Sequence, residues 1–491
     1  MGKILKRLAD WLRRVPVIRS IFTAASTSNI YSSWLSTNYS ADAELYNNLK
    51  TMRGRSRELR RNNDYMAKFV RMVQINVVGP AGIRLQSRVR QGAASDVVAN
   101  TKIEAAWADW SGLGQCDTRR RHTFRDLCNI AISSVAVDGE VLIRKVKGFN
   151  NRHRYALQLI EADHLEENYN ETLANGNKIK MSIEYNEWDE PVAYWIYKNH
   201  PGDTHFATAN YGQRMRVPAE EIIHLFLPQR PSQGRGLPWA HSAMPTVNML
   251  NGYQEAEVTA ARIAASKMGF YQKEGADQYT GDAAEDGNAS PIQEVEPGIF
   301  EILPKGFKFQ AFDPQHPTSQ YGFFVKSVLR SIASGLGVSY NALANDLEGV
   351  NYSSIRAGLI DERDVWKNLQ TWLIDHLIRP VFEDWLTMAM TTGQVALPFS
   401  KYQQFKAADF QPRGFIWIDP LKEVNAHILA TLYGFNTASN IIGEQGRDLE
   451  ETYERLSEEK KMREALGLTT PDEAKILEIL QKTPIEGGSN E

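Results

Sequence analysis

Apolar side chains at helical spacing, interleaved with basic ones, mark the first third of the chain. In residues 1–22, Ile4, Leu5, Leu8, Trp11, Leu12 and Val15 fall among Lys3, Lys6, Arg7, Arg13, Arg14 and Arg19, which predicts an amphipathic helix. It lacks the unbroken apolar stretch and small-residue cleavage site of a signal peptide. Residues 23–45 are rich in Ser, Thr, Asn and Ala with little periodicity, the pattern of a linker or extended arm. A helix follows in which Tyr65, Phe69, Met72 and Val73 recur at i, i+4, i+7 and i+8, predicting a buried apolar face with the arginines outside. Residues 97–110 and 122–137 read as two more helices, the first turning Val98, Ile103 and Trp107 to one side, the second Phe124, Leu127, Ile130 and Val135.

The period then changes from helical to alternating. Val141–Ile143, Tyr155–Ile160, Ile179–Ile183 and Pro191–Tyr197 are short runs typical of strands, with Asn186–Pro191 as the turn between the last two. Residues 1–237 therefore predict an α+β region, helices first and an antiparallel meander after. From Trp239 to Phe270 the pattern is helical again and rich in alanine (Ala256, Ala260, Ala261, Ala264, Ala265), so another backbone can approach closely. Glycines and prolines interrupt it over 271–316. Here Asp277–Asn288 reads as a polar loop, and Gly298–Leu303 and Phe307–Phe312 as two strands joined at Pro304-Lys305-Gly306. A helix over Ser319–Gly335 should bury Phe323, Phe324, Val328, Leu329 and Ile332. A long helix over Ile355–Thr391, bent or interrupted at Pro380, should bury Leu359, Trp366, Leu369, Leu373, Leu377, Phe382, Leu386 and Met390. Residues 421–433, 437–445 and 446–466 read as shorter helices, and 482–491 as a disordered tail.

Composition narrows the function classes more than it names one. The 491 residues, 42% hydrophobic, suffice for several domains, and a net charge of −3 gives no global polyelectrolyte signal. Charge is placed locally instead: Lys50–Arg90 holds 11 basic residues against two acidic ones. Such a run serves a solvated face, DNA, or acidic residues of a neighbouring subunit. Cys116 and Cys128 form no disulfide framework and no metal site, and read as buried thiols of a reducing compartment. There is no apolar run of about 18 residues, so no membrane-spanning helix is expected.

Motifs for catalysis are missing. No G-x-x-x-x-G-K-[ST], H-E-x-x-H, G-x-S-x-G or Cys/His cluster occurs, so no cofactor, metal or catalytic residue is expected. The best enzymatic alternative is a metal-dependent nuclease built on Asp138, Glu140 and Lys145, or on Glu161 and Asp163, but no compact acidic-x-Lys element is present. His164, His224, His241 and His316 are isolated and read as structural. A monomeric adaptor protein is the remaining alternative.

Five stretches in order bear a resemblance: Arg57-Glu58-Leu59-Arg60-Arg61-Asn62-Asn63, Arg235-Gly236-Leu237-Pro238-Trp239, Glu257–Ala265, Leu347–Arg356, and Trp417-Ile418-Asp419-Pro420-Leu421-Lys422-Glu423. Over about residues 37–468 the chain resembles the lambda-type portal proteins of tailed bacteriophages, the head-tail connectors. The resemblance implies a largely helical α+β portal fold: an N-terminal helix and arm at 1–45, a wing at 46–239, and stem helices at 240–270 and 318–336 around a small β-containing clip at 271–317. A channel loop and wing helix would follow at 337–420, a helical crown at 421–480 and a disordered tail at 481–491. It further implies a homo-oligomeric ring, usually a dodecamer, at one capsid vertex of the virion, made in the host cytoplasm. Such a ring passes double-stranded DNA without sequence preference during packaging and ejection, and docks terminase, major capsid or scaffold protein and a head-tail adaptor, with no membrane. The channel candidates are Lys267, Lys326 and Arg330 on the stem, and Asn345, Asn351, Tyr352, Ser353, Ser354 and Arg356 in or beside the loop. The stem basics could equally bond a neighbouring subunit.

Overall fold

The computed structural model describes residues 37–92, 94–206, 212–265, 269–273, 307–311, 320–349, 352–415 and 420–468. The helix expected over 1–22, the strand expected over 298–303, the polar loop at 277–288, His316 and the tail lie outside the described residues. The arm expected over 23–45 ends in a short helix rather than an extended segment. Ser40 caps α1 (Ala41–Tyr46), its hydroxyl accepting from the Ala43 N–H at 3.2 Å.

Helices α2 (Leu49–Asn62) and α3 (Asp64–Val77) meet at Asn63, which ends the first and caps the second through its side-chain oxygen, 3.0 Å from the Met66 nitrogen. On α3, Phe69, Met72 and Val73 are buried as their spacing requires. The expectation that the arginines lie outside fails at one position: Arg53 of α2 is wholly buried, because a carboxylate waits for it inside. Helices α4 (Val97–Ser111) and α5 (Phe124–Asp138) are the two expected ones, the second started by a Thr123/Asp126 capping box. The buried stripe of α4 is Ala99, Ile103, Trp107 and Trp110, which leaves Val98 exposed one position off it, and Ile130 of α5 also faces outward. Trp107 centres an aromatic knot, with ring centroids 4.9 Å from Trp110, 5.3 Å from Phe124 and 5.0 Å from Trp385.

Three sheet elements follow from the alternating runs. β4 (Glu140–Lys147) lies between β5 (Tyr155–Ile160) and β11 (Ile222–Phe226), antiparallel to both. This small sheet is covered on both faces. Val141, Ile143, Leu157 and Leu225 point into the helical core, whereas Leu142, Ile160 and Ile222 point into a second apolar cluster with Ile183, Tyr194 and Ile196. Burial on both sides explains why Val141-Leu142-Ile143 is unbroken rather than alternating. The second cluster is roofed by the meander β6 (Glu171–Thr172), β7 (Lys178–Lys180), β8 (Ile183–Tyr185), β9 (Pro191–Tyr197) and β10 (Arg214–Pro218), in sequential order. The single strand expected over 179–183 is thus the end of β7, a turn with Met181 and Ser182 at positive φ, and the start of β8. The short pair β2 (Arg90–Gln91) and β3 (Ala94–Ser95) and the pair of β1 (Arg84–Ser87) with β14 (Ala408–Gln411) complete this part.

Beyond it the chain is nearly all helix. α6 (Met244–Ala265) is shorter than the helix expected over Trp239–Phe270, because Gly269–Lys273 forms strand β12. β12 pairs antiparallel with β13 (Phe307–Ala311), so the described partner of this strand comes from before the Gly/Pro-rich module and not from 298–303. α7 (Tyr321–Leu336) buries Val325, Leu329 and Ile332, but Phe323 and Phe324, both expected inside, are exposed. α8 (Tyr340–Ala344) leads to α9 (Tyr352–Leu373), a π turn (Ile374–Ile378) and α10 (Arg379–Thr391). The interruption expected at Pro380 takes the form of that π turn: the wider coil accommodates a ring that would clash with the carbonyl four residues back. The expected face is buried at Trp366, Leu373, Leu377, Phe382, Leu386 and Met390. After α11 (Tyr402–Phe405) and β14 come α12 (Pro420–Leu432), α13 (Ala438–Glu444) and α14 (Leu449–Ala465), none of which buries a residue.

The corner between α5 and β4 sets the position of α6. Gly139 takes φ +91°, and a Cβ there would stand 2.6 Å from the backbone of Gly236 and Leu237, which lead into α6. Gly139→Ala is therefore expected to cost roughly 2–4 kcal/mol from left-handed strain and overpacking together. Urea unfolding of the variant beside the unaltered chain checks this, and an unchanged midpoint would contradict it.

Candidate nucleic-acid interface and the buried network behind it

Glu140 opens β4 at the Gly139 corner and is wholly buried, so its charge must be met inside the protein. Arg235 grips it with Nε 2.8 Å and Nη2 2.6 Å from Oε1, and Arg53 of α2 adds Nη2 at 3.0 Å. Its other oxygen accepts from the Gly236 N–H at 2.7 Å and lies 2.9 Å from His224 Nε2 on β11. Arg235 also donates to the Met181 carbonyl at 3.1 Å, and Arg53 to Glu167 at 3.1 Å. Burial alone would push the Glu140 carboxyl up, yet Arg235, His224 and Arg53 together hold it well below the usual carboxylate range. Of the four histidines read as isolated, His224 belongs to this network, while His164 and His241 meet the carbonyls of Tyr197 and Pro238.

The carboxylates that a nuclease would need are consumed in the same region. Asp138 takes a bidentate pair from Arg57 at 2.7 and 3.0 Å, and Arg57 also bonds Asp163. Lys145 and Lys147 both close on Asp384 of α10, at 2.6 and 2.9 Å. Glu161, Asp163 and His200 do bring ligand atoms within 4.8 Å of one another, but the Arg57 guanidinium reaches both carboxylates and supplies the positive charge a metal ion would bring. Both thiols are buried and unpaired, as expected.

Three of the channel candidates meet at the root of the loop between α8 and α9. Lys326 of α7 reaches Asp346 Oδ2 at 3.1 Å and Glu348 Oε2 at 2.9 Å. The Tyr340 hydroxyl donates to the same Asp346 oxygen at 2.6 Å, and the Glu348 N–H to the other at 3.0 Å. These contacts, led by Tyr340, lower the Asp346 carboxyl to about 2. Arg330, one turn along α7 from Lys326, lies 5.4 Å over the Tyr340 ring. Asn345 closes α8 at φ +54° and accepts from Lys68 Nζ at 2.9 Å, which ties the root to α3. Beside it a cavity of about 510 Å³ is walled by Leu347, Leu359, Trp366 and Phe415, the last ring lying under both Arg363 and Arg413. Arg356 points elsewhere, to Glu423 of α12 at 3.8 Å. Tyr352, Ser353 and Ser354 form the first turn of α9, and Lys267 and Asn351 lie outside the described residues.

The network was not foreseen as such: Asp138 and Glu140 read only as carboxylates of a possible nuclease, and Arg57 and Arg235-Gly236 only as part of the resemblance. The available signal was Asp138-Gly139-Glu140 running directly into Val141-Leu142-Ile143: a carboxylate at the mouth of a doubly buried strand needs a cation.

Most of the chain matches known proteins. Residues 27–370 fit the family model described as phage portal protein, lambda family. The chain is 34% identical over 466 residues to a probable portal protein of Halomonas phage phiHAP-1, covering 94% of this chain and 90% of that one. It is 23% identical to portal protein B of Escherichia phage lambda, covering 89% of each. Among solved structures it resembles the neck of a native gene transfer agent particle computed with C12 symmetry, at 13% identity and TM-score 0.41, over 80% of this chain and 93% of that one. The neck of an empty particle computed with C6 symmetry gives 12% identity and TM-score 0.42, over 82% and 93%.

Because the Glu140 carboxyl titrates lower folded than unfolded, its contribution is complete above about pH 4.3, the unfolded value, and is lost as pH falls further. Glu140→Gln, which strands two buried arginines, is expected to cost about 3–5 kcal/mol at neutral pH and to flatten the acid limb of stability against pH. Denaturant unfolding at several pH values measures both, and an unaltered acid limb would show that Glu140 is not the group responsible.

Proposed function

Because the chain belongs to the lambda family of phage portal proteins, we propose that twelve copies of it close into a ring at one capsid vertex, whose axial channel passes double-stranded DNA inward during packaging and outward during ejection. The observation that carries this reading is the apolar surface left over on the paired helices. Met249 and Val258 of α6 and Phe323 of α7 are 74%, 67% and 73% exposed in the single subunit, although Tyr253 stacks on Tyr321 and joins the two helices to each other. Large apolar side chains on a helix pair already packed internally call for a further partner. One face of each copy meeting a different face of the next closes a cyclic ring.

In this reading residues 46–239 are the wing, α6 and α7 the stem, 271–317 the clip and the helices from 421 the crown. Lys267, Lys326, Arg330, Asn345, Asn351, Tyr352, Ser353, Ser354 and Arg356 are the residues proposed to line or border the channel. Phosphate contact without base readout suffices for them, since a moving duplex must be held weakly. The chain has no phosphate-cradling ATP loop, so a separate terminase is proposed to supply the work of packaging from the clip side. Major capsid or scaffold protein and a head-tail adaptor are the other proposed partners. The protein is made in the host cytoplasm, resides at the portal vertex of the virion and catalyses no reaction.

Native mass spectrometry and negative-stain microscopy of the full-length protein should show closed rings. Phe323→Ser combined with Met249→Ser removes roughly 3–6 kcal/mol of apolar burial from each subunit contact and should shift the distribution toward small species without loss of helical circular dichroism. A monomer at every concentration of the unaltered chain would sink the ring and leave the adaptor reading.

A further inference from the structure

A cavity of about 370 Å³ opens on the surface of the wing where the last turn of α2 faces α5 and the strands β4 and β5. Its rim carries Arg57, Arg60, Arg61 and Arg119. Arg57 is occupied by Asp138 and Asp163, but the guanidiniums of Arg60, Arg61 and Arg119 have no partner among the described residues and are exposed. Arg121, also exposed, follows Arg119 by two positions. The floor is of opposite character. Leu127, Val137, Val141 and Leu159 form it, and Ile130 of α5, 39% exposed, stands open in it.

We propose that this pocket is a docking site for an acidic segment of a partner protein, with an apolar side chain seated on Ile130 and flanking carboxylates held by Arg60, Arg61 and Arg119. Each half of the site argues for the chemistry. Three planar, unpaired guanidiniums converging on one opening recognise carboxylates through paired N–H donors. An apolar floor inside a basic rim selects a ligand that brings both kinds of group, which a peptide does and a phosphate backbone does not. Asp138 and Glu161, which also line the cavity, are met by Arg57, and Asp117 by His122, so the unpaired arginines set the charge of its rim. A cavity of about 370 Å³ admits a few side chains and is far smaller than the flank of a duplex. The site therefore resolves, for Arg60 and Arg61, the choice between DNA and acidic protein groups that the charge run from Lys50 to Arg90 leaves open.

The probe is a peptide-display library panned on the full-length protein in its native assembly. Retained peptides are expected to combine two or more Asp or Glu with a Leu, Ile or Phe. Arg61→Glu with Arg119→Glu should reduce their retention by about tenfold or more, and Ile130→Asp should do so as well. Arg71→Glu, an exposed arginine that does not line the pocket, should leave retention unchanged. All these positions are solvent-facing, and matching thermal unfolding of the variants separates lost docking from lost fold. Retention that survives the double variant, or enrichment of peptides without acidic residues, overturns the proposal. So does a short DNA duplex that displaces the peptides and whose own binding falls with the double variant, since the pocket would then serve nucleic acid.

Discussion

Glu140 accepts from groups that arrive from three directions, and the arrangement of the chain around it depends on that meeting. Arg53 comes from α2, His224 from the neighbouring strand, and Arg235 with the Gly236 N–H from the segment that launches α6. Such a network is costly to leave half made: each ion gave up its water on folding, so the loss of one partner leaves the others buried and unpaired. It therefore selects one arrangement of α2, the sheet and the segment leading into α6 over nearby alternatives. The contact of Gly139 with Gly236 is the steric counterpart, since the arginine can reach the carboxylate only if the two backbones touch. Asp42 of α1 adds a further tie by accepting from the Gly234 N–H at 2.8 Å. In the proposed ring, a load on the stem helices would be passed to the wing through this joint and through the apolar core beside it.

How much of this was legible in the sequence varies with the range of the interaction concerned. Helix positions and the meander came through because 3.6-residue and two-residue periods are local, and α4, α5, β5, β9 and α7 stand within a residue or two of their expected places. The burial of Arg53 did not, because an arginine in a helical charge run reads as solvent-facing until Glu140, 87 residues on, is placed beside it. Strand β12 was hidden inside an alanine-rich helical run, and its pairing with β13 depends on residues 34 or more positions away. The β1 and β14 pair is more distant still. Phe323 and Phe324 were misplaced for another reason: spacing identifies an apolar face but does not say whether anything in the same chain covers it. The channel candidates were legible only through family resemblance, and the root of their loop acquires a physical account from Lys326, Tyr340 and Asp346.

The described subunit thus shows two textures. Around Glu140 almost every charge is met and almost every large apolar side chain is inside, the condition of a body that folds by itself. On α6 and α7 large apolar groups stand outside beside a buried stripe, and the three C-terminal helices bury no residue at all. A chain that leaves such surface after folding has reserved it for association, because isolated helices of this length are marginal without a packed face.

In the proposed ring, the loop root would reconcile tight assembly with a passage that must not grip its cargo. Lys326 is held between Asp346 and Glu348, so its charge is met within the subunit, while Arg330 lies over the Tyr340 ring. A ring of unopposed lysines and arginines facing a duplex would add one phosphate contact for each, and affinity falling steeply with salt would accompany a strong hold at low salt. Pairing within the subunit removes most of that attraction while leaving hydroxyl and amide groups able to make short-lived contacts. Lys326 with Asp346 and Lys68 with Asn345 anchor the C-terminal end of α8 to α7 and to α3. In the proposed ring these charges would hold the loop's root in position first, and a weak pull on DNA would follow from that structural use.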